Sequence, residues 1–119
     1  MDKILRQALL YDFYGELLTE HQKSIYEDFV LNDYSLSEIG EDRKISRQGV
    51  YDIIKRCDKL LNGYEEKLHL VQKFLMAKEQ VAKIHELASE ILKAEGAPDK
   101  ATEYLRQIEN ISNGILEKM

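Results

Sequence analysis

The sequence predicts an all-α fold: a helix-turn-helix domain without a wing, extended by a long C-terminal helical hairpin. Three observations carry this expectation. Leu, Ile, Glu, Lys and Ala dominate a chain of 119 residues in which proline occurs once and glycine six times. Apolar residues recur at 3–4 spacing, and no alternating run of β-branched and aromatic residues is long enough for a strand. Two helix-start signals, Ser35 and Ser46, lie eleven residues apart. That separation leaves room only for a short helix and a tight turn.

The first helix, Asp2 to Leu18, is apolar on most sides: Ile4, Leu5, Ala8, Leu9, Leu10, Phe13, Tyr14, Leu17 and Leu18. A helix of that kind is usually buried or shared with a partner chain. It stops at Thr19, where T-E-H-Q reads as a capping box: the Thr19 hydroxyl accepts from the backbone three residues on and Gln22 reaches back. The second helix runs from Glu20 to about Leu31, with Ile25, Phe29 and Val30 as core candidates. Asn32-Asp33-Tyr34 is turn chemistry, and Ser35-Leu36-Ser37-Glu38 is a second capping box. A short helix from Leu36 to about Arg43 follows, then a turn at Lys44-Ile45, then Ser46 as the next N-cap.

The helix opening at Ser46 carries Val50, Ile53, Ile54, Cys57, Leu60 and Leu61 on its apolar face. Asn62-Gly63 resembles a terminator, yet the spacing continues through Tyr64, Leu68, Val71 and Leu75 without slipping. A loop would reset the phase, so the helix is expected to pass Gly63 at the roughly 1 kcal/mol cost of a mid-helix glycine. Beyond Leu75 the stripe shifts to Phe74, Ala77, Val81, Ile84, Ala88 and Ile91. Gly96-Ala97-Pro98 ends that helix, and Asp99 caps a last one carrying Ala101, Tyr104, Leu105, Ile108, Ile111, Ile115 and Leu116. The expected organisation is a helix-turn-helix domain over 1–63 and, over 64–119, a long helix plus a C-terminal helix, packed back or dimerising. Thirty residues of helix from Tyr64 span about 45 Å, whereas a compact globule of this length is about 35 Å across. The pair is therefore expected to project, its stripe met either by its own chain or by a second copy in a homodimer.

The net charge is −5, but it is uneven. Residues 1–42 hold three basic and ten acidic side chains. Residues 43–59 hold six basic side chains, Arg43, Lys44, Arg47, Lys55, Arg56 and Lys59, against Asp52 and Asp58. A basic segment on an acidic body is an electrostatic footprint for nucleic acid, of modest size. In a helix-turn-helix the second helix presents its first turns to base edges. The candidate nucleic-acid-binding residues are thus Ser46, Arg47, Gln48, Tyr51, Asp52, Lys55, Arg56 and Lys59. Arg and Gln make paired bonds to guanine and adenine edges, while Lys55, Arg56 and Lys59 sit where phosphate contact is expected. Ser46 and the first free N–H groups suit a phosphate. Asp52 either selects an exposed cytosine amino group or pairs with Arg56 one turn on. A solvated helix face and a protein-docking surface are the competing readings, the marked turn and the charge reversal favouring a binding role.

Other chemistry finds no support. His21, His69 and His85 have no acidic or cysteine companions at ligand spacing, so no metal is expected. Cys57, the single cysteine, lies on an apolar face as a small hydrophobe and permits no internal disulfide. There is no phosphate-cradling glycine loop and no carboxylate pocket. An enzyme and a cofactor are both unexpected. With no signal peptide and no apolar run of eighteen residues, the expectation is a cytoplasmic protein with no membrane insertion.

At these residues the chain resembles known proteins. LTEHQKSIYEDFVLNDYSLSEIGEDRKISRQGVYDIIKR is similar to the promoter −35-reading domain of bacterial sigma factors. With LYDFYGELLTEHQ before it and KRCDKLLNGYEEKL after it, it resembles the YlxM family of small bacterial helix-turn-helix proteins over about residues 2–75. The combination of DFYGELLT, SLSEIG and ISRQGVYD is the specific part; the final forty residues carry no known motif. The resemblance implies an all-helical cytosolic protein, because of gene neighbourhood an accessory of the signal recognition particle pathway, contacting the particle's proteins or its RNA. It also implies that Arg47, Gln48, Tyr51 and Lys55 occupy positions that related sigma-like domains use to read DNA. Three residues depart from the pattern. Gly40 stands for the usual alanine, Arg43 for an apolar core residue, and Lys44 for the glycine of the turn. Lys44 is therefore expected in a left-handed conformation costing about 1 kcal/mol.

Overall fold

The computed structural model describes residues 1–93 and 98–118, with the backbone alone at Pro98, Asp99, Lys100, Leu116 and Lys118. Within it the chain is all-α. The helices are α1 (Lys3–Tyr14), α2 (Glu20–Val30), α3 (Leu36–Arg43), α4 (Arg47–Leu68), α5 (Leu70–Lys93) and α6 (Pro98–Lys118), with a 3-10 turn over Gly15–Leu17. Two compact units result, Met1–Val71 and Gln72–Met119.

Local chemistry places the helix starts of the first unit. Thr19 and Ser35 each form a complete capping box, with Gln22 and Glu38 as the returning side chains. Ser46 accepts from the Gly49 N–H at 3.0 Å. All three starts fall where the sequence put them, because a cap needs only its own four residues. The first helix differs: its α-helical part ends at Tyr14, and the 3-10 turn carries the chain to Leu18.

The core of the first unit combines Leu10, Leu18, Ile25, Val30, Ile39, Val50, Ile54, Cys57 and Leu61 with three tyrosines, Tyr11, Tyr14 and Tyr26. Each tyrosine hydroxyl donates to a carboxylate on another helix. Tyr11 meets Glu27, Tyr14 meets Glu65 at 2.6 Å, and Tyr26 meets Asp58 at 2.6 Å. Gln7 adds two bonds to Asp58, at 2.9 and 3.2 Å. A buried tyrosine needs such a partner, and here the partners tie α1 to α2 and α4, and α2 to α4. Burial together with the neighbouring carboxylates pushes the Tyr11, Tyr14 and Tyr26 hydroxyls above their ordinary pKa.

The fourth helix does pass Gly63, where an added Cβ would meet nothing within 4 Å. It does not run on through Leu75. It ends at Leu68, with His69 in the left-handed region (φ 57°), and α5 begins at once. The break is a tertiary effect. Glu65 Oε1, buried beneath Tyr14, accepts from the Val71 N–H at 2.9 Å, and the Tyr14 hydroxyl oxygen accepts from the Leu70 N–H at 3.1 Å. These satisfy N–H groups that a new helix start leaves free. Val71 is buried and keeps its place in the apolar phase, which is why spacing alone hid the break.

In the second unit α5 and α6 lie side by side, a Cβ at Gly114 coming within 4.0 Å of Gln80 Nε2. Ala77, Ile84, Ala88 and Ile91 are half-buried along α5, as are Ala101, Tyr104, Ile108, Ile111 and Ile115 along α6. Phe74, Val81 and Leu105, expected on those stripes, are exposed instead. Two helices give each other one contact line each, so residues at the margin of a wide stripe stay uncovered. Among the described residues of 72–118, none is fully buried. The last helix starts at Pro98, whose fixed φ suits a first helical position. Asp99 therefore lies inside its first turn and is not its cap, and the expected terminator at Gly96-Ala97 lies outside the described residues.

Candidate nucleic-acid interface

The helix-turn-helix is α3, a turn over Lys44–Ser46, and the first half of α4. Its closeness depends on Gly40. A Cβ there would stand 2.6 Å from the Ile45 carbonyl oxygen, so only glycine lets the turn fold back this tightly. Lys44 has φ 58° and ψ 43°, the left-handed conformation expected, and its N–H returns to the Gly40 carbonyl. Beneath the turn Ile39 and Val50 are fully buried and fix the angle between the helices.

Arg43 leaves the basic face. Its Nη2 donates to Ser24 Oγ at 2.6 Å and to Asp28 Oδ2 at 2.7 Å, so it tethers α3 to α2 where an apolar residue was expected. Burial raises the Asp28 carboxyl. The hydrogen bonds from Arg43 and Asn32 and the Arg43 charge outweigh that and hold it below its usual value. Asp58 is likewise taken inward, by Gln7 and Tyr26. What remains outward between residues 43 and 59 is Lys44, Arg47, Lys55, Arg56 and Lys59 against Asp52 alone.

The candidate residues Ser46, Arg47, Gln48, Tyr51, Asp52, Lys55, Arg56 and Lys59 are all exposed. Ser46 serves as the cap, its oxygen occupied by the Gly49 N–H. Gln48 Nε2 donates to Asp52 Oδ1 at 3.0 Å. The partner that Asp52 finds is therefore one turn back, not Arg56 one turn on. Lys55 Nζ lies 5.5 Å from the Tyr51 ring centroid, within cation–π range. Arg47 borders an open hollow of about 340 Å³ at the turn, shared with Ser37, Glu41 and Lys44.

Residues of α1 and α2, outside the motif, join Leu36 at this face. Lys3, Ile4 and Gln7 of α1, Phe29 of α2 and Leu36 of α3 meet Tyr51, Ile54 and Lys55 around a cleft of about 190 Å³. Nothing in the spacing of residues 1–7 signals this, because the approach of α1 to α4 depends on the Gln7–Asp58 bonds. Cys57 is fully buried, and burial together with the Asp58 charge pushes its thiol up to about 11, the pattern of an inert core residue. No group of three potential metal ligands forms among the described residues, and no described helix is long and apolar enough to cross a membrane.

A family profile described as “Putative helix-turn-helix protein, YlxM / p13 like” (UPF0122) matches residues 1–99. A UPF0122 protein of Thermoanaerobacter sp. is 46% identical over 116 residues, spanning 98% of this chain and 96% of its own. The UPF0122 protein YlxM of Bacillus subtilis is 49% identical over 89 residues, covering 75% of this chain and 81% of its own. A UPF0122 protein of Caldanaerobacter subterraneus reaches 54% over 85 residues, 71% of this chain and 73% of its own.

Proposed function

Because the chain belongs to the UPF0122 family of YlxM / p13-like helix-turn-helix proteins, we propose that it is a non-enzymatic nucleic-acid-binding accessory protein whose contact surface is the first half of α4. The observation that carries this reading is the set of outward cations Lys44, Arg47, Lys55, Arg56 and Lys59, in a segment, residues 43–59, where Asp52 is the one exposed carboxylate. Cations so placed meet phosphates, while Arg47 and Gln48 at the helix start stand where base edges are read. The family resemblance makes the RNA of the signal recognition particle the first ligand to test, with duplex DNA beside it, in the cytoplasm. Titration should show affinity falling steeply with salt. The double change Arg47→Ala with Lys55→Ala should weaken binding and, through the phosphate contact of Lys55, flatten the salt slope by roughly 0.7 on a single strand and 0.9 on a duplex. Unchanged affinity and slope in that variant would remove the site assignment.

A second reading has its own support. Residues 1–42 carry ten acidic against three basic side chains, which repels phosphate. Leu5, Phe13 and Leu17 stand exposed on α1 and the turn after it, and no described side chain of residues 72–118 is fully buried. An adaptor that dimerises, or docks on particle proteins, through these apolar faces fits those facts. Capture of partner proteins that survives nuclease treatment and disappears without residues 72–119 would favour it over nucleic-acid binding.

A further inference from the structure

The cleft beside α4 differs chemically from the phosphate-facing row. Its walls are Ile4, Phe29, Leu36, Tyr51 and Ile54, two aromatic rings and three branched aliphatic side chains. Its exposed mouth is flanked by Lys3 and Lys55, and its floor is the Gln7–Asp58 pair. At about 190 Å³ it is smaller than the roughly 300–1,000 Å³ of pockets for drug-sized ligands, so it holds one ring-sized group.

We propose that this cleft takes one unpaired nucleobase, with Lys3 and Lys55 meeting the phosphates on either side of it. The proposal rests on the nucleic-acid reading above and names the class of ligand: a bulge, loop or single strand, not an intact duplex. Three features support it. Tyr51 and Lys55 belong both to the cleft and to the outward face of α4, so a strand lying on that face passes the mouth. The mouth is cationic and the walls are apolar and aromatic, the combination that single-strand binders use. A base held in a duplex must first be unstacked, whereas a bulged one is already free to enter. An acidic peptide carrying one aromatic side chain is the competing occupant, but it does not account for the continuity with the basic row.

The test titrates the full chain, by fluorescence anisotropy, against three RNA hairpins: one with a single bulged adenine, one with an abasic residue at the bulge, and one fully paired. DNA counterparts run in parallel. The bulged hairpin should bind about tenfold tighter than the other two, the scale of one base–aromatic stack. A preference confined to RNA, or shared by DNA, supports the proposal either way and identifies the sugar. Ile4→Glu places a carboxylate at the mouth on a residue already 45% exposed, so the chain still folds. It should abolish the preference for the bulge; the added charge weakens the paired hairpin too, so the readout is the ratio of the two affinities, which should fall to about one. Lys3→Gln should weaken the bulged hairpin more than the paired one. Equal binding of all three hairpins, with Arg47→Ala still weakening each, overturns the base pocket and leaves the interface reading standing. No binding of any hairpin overturns both. Capture of an acidic phenylalanine-containing peptide that Ile4→Glu abolishes, with the hairpins bound alike, assigns the cleft to a protein and overturns the proposal.

Discussion

Three backbone positions show how single residues set the helix-turn-helix. Gly40 and Gly63 are both helical glycines, yet they should respond oppositely to alanine. At Gly63 an added methyl meets open space, so Gly63→Ala should stabilise by about 0.5–1 kcal/mol through helix propensity. At Gly40 it meets the Ile45 carbonyl oxygen at 2.6 Å, so Gly40→Ala should cost about 1–3 kcal/mol by forcing the turn apart. Lys44→Gly should relieve the left-handed strain, for a gain of up to about 1 kcal/mol after the entropy of a freer unfolded chain is counted. Urea-unfolding midpoints of the three variants check the signs directly. The tight turn was legible from the spacing of the two caps, and the left-handed Lys44 from the family resemblance, in which it stands for the glycine of the turn. The reason for Gly40 was not, since the atom it avoids belongs to a different segment of backbone.

Between helices, stability rests on carboxylates whose partners lie far along the chain. Asp28 has a depressed pKa in the folded state, so its contribution is fully present above the unfolded value of about 3.9 and is lost as pH falls through the lower folded value. Acid unfolding should therefore include an Arg43-dependent component. Arg43→Met should flatten the pH dependence of stability below about pH 4, and a curve identical to the parent would remove Arg43 as the cause. Glu65 does a different job. Its carboxylate accepts from Tyr14 and from the N–H that opens α5. Glu65→Ala should cost about 1–3 kcal/mol for each group left unpaired, more than Glu65→Gln, which keeps an acceptor. Amide exchange at Leu70 and Val71 should accelerate before the rest of the first unit opens. Spacing predicted neither role. The apolar phase through Cys57, Leu61 and Val71 is continuous across a broken helix, and a tyrosine's acid partner has no sequence signature.

At the scale of the whole molecule, the second unit keeps large apolar side chains at its surface. Its helices leave Val81, Leu92 and Leu105 exposed at 56%, 86% and 59%. If a second copy covers them, the thermal midpoint should rise with protein concentration. Val81→Glu should then convert a dimer to a monomer in sedimentation analysis, although an exposed substitution in a monomer shifts stability by no more than about 0.5 kcal/mol. A concentration-independent midpoint and a monomeric parent would show that one chain suffices. At this scale the division between sequence and structure is plain. The sequence by itself determined the helical class, the three capped starts at Thr19, Ser35 and Ser46, the tight turn at Lys44 and the outward placement of the basic residues. Each depends on neighbours within a turn or two, where propensity, capping and periodicity act. Only the tertiary structure decided that Arg43 and Asp58 turn inward, that α4 stops at Leu68, and that α1 closes a cleft against α4. Those outcomes depend on polar groups 15 to 56 residues apart finding one another. Long-range polar pairing leaves no periodic mark in a sequence, because burial and not spacing makes it necessary.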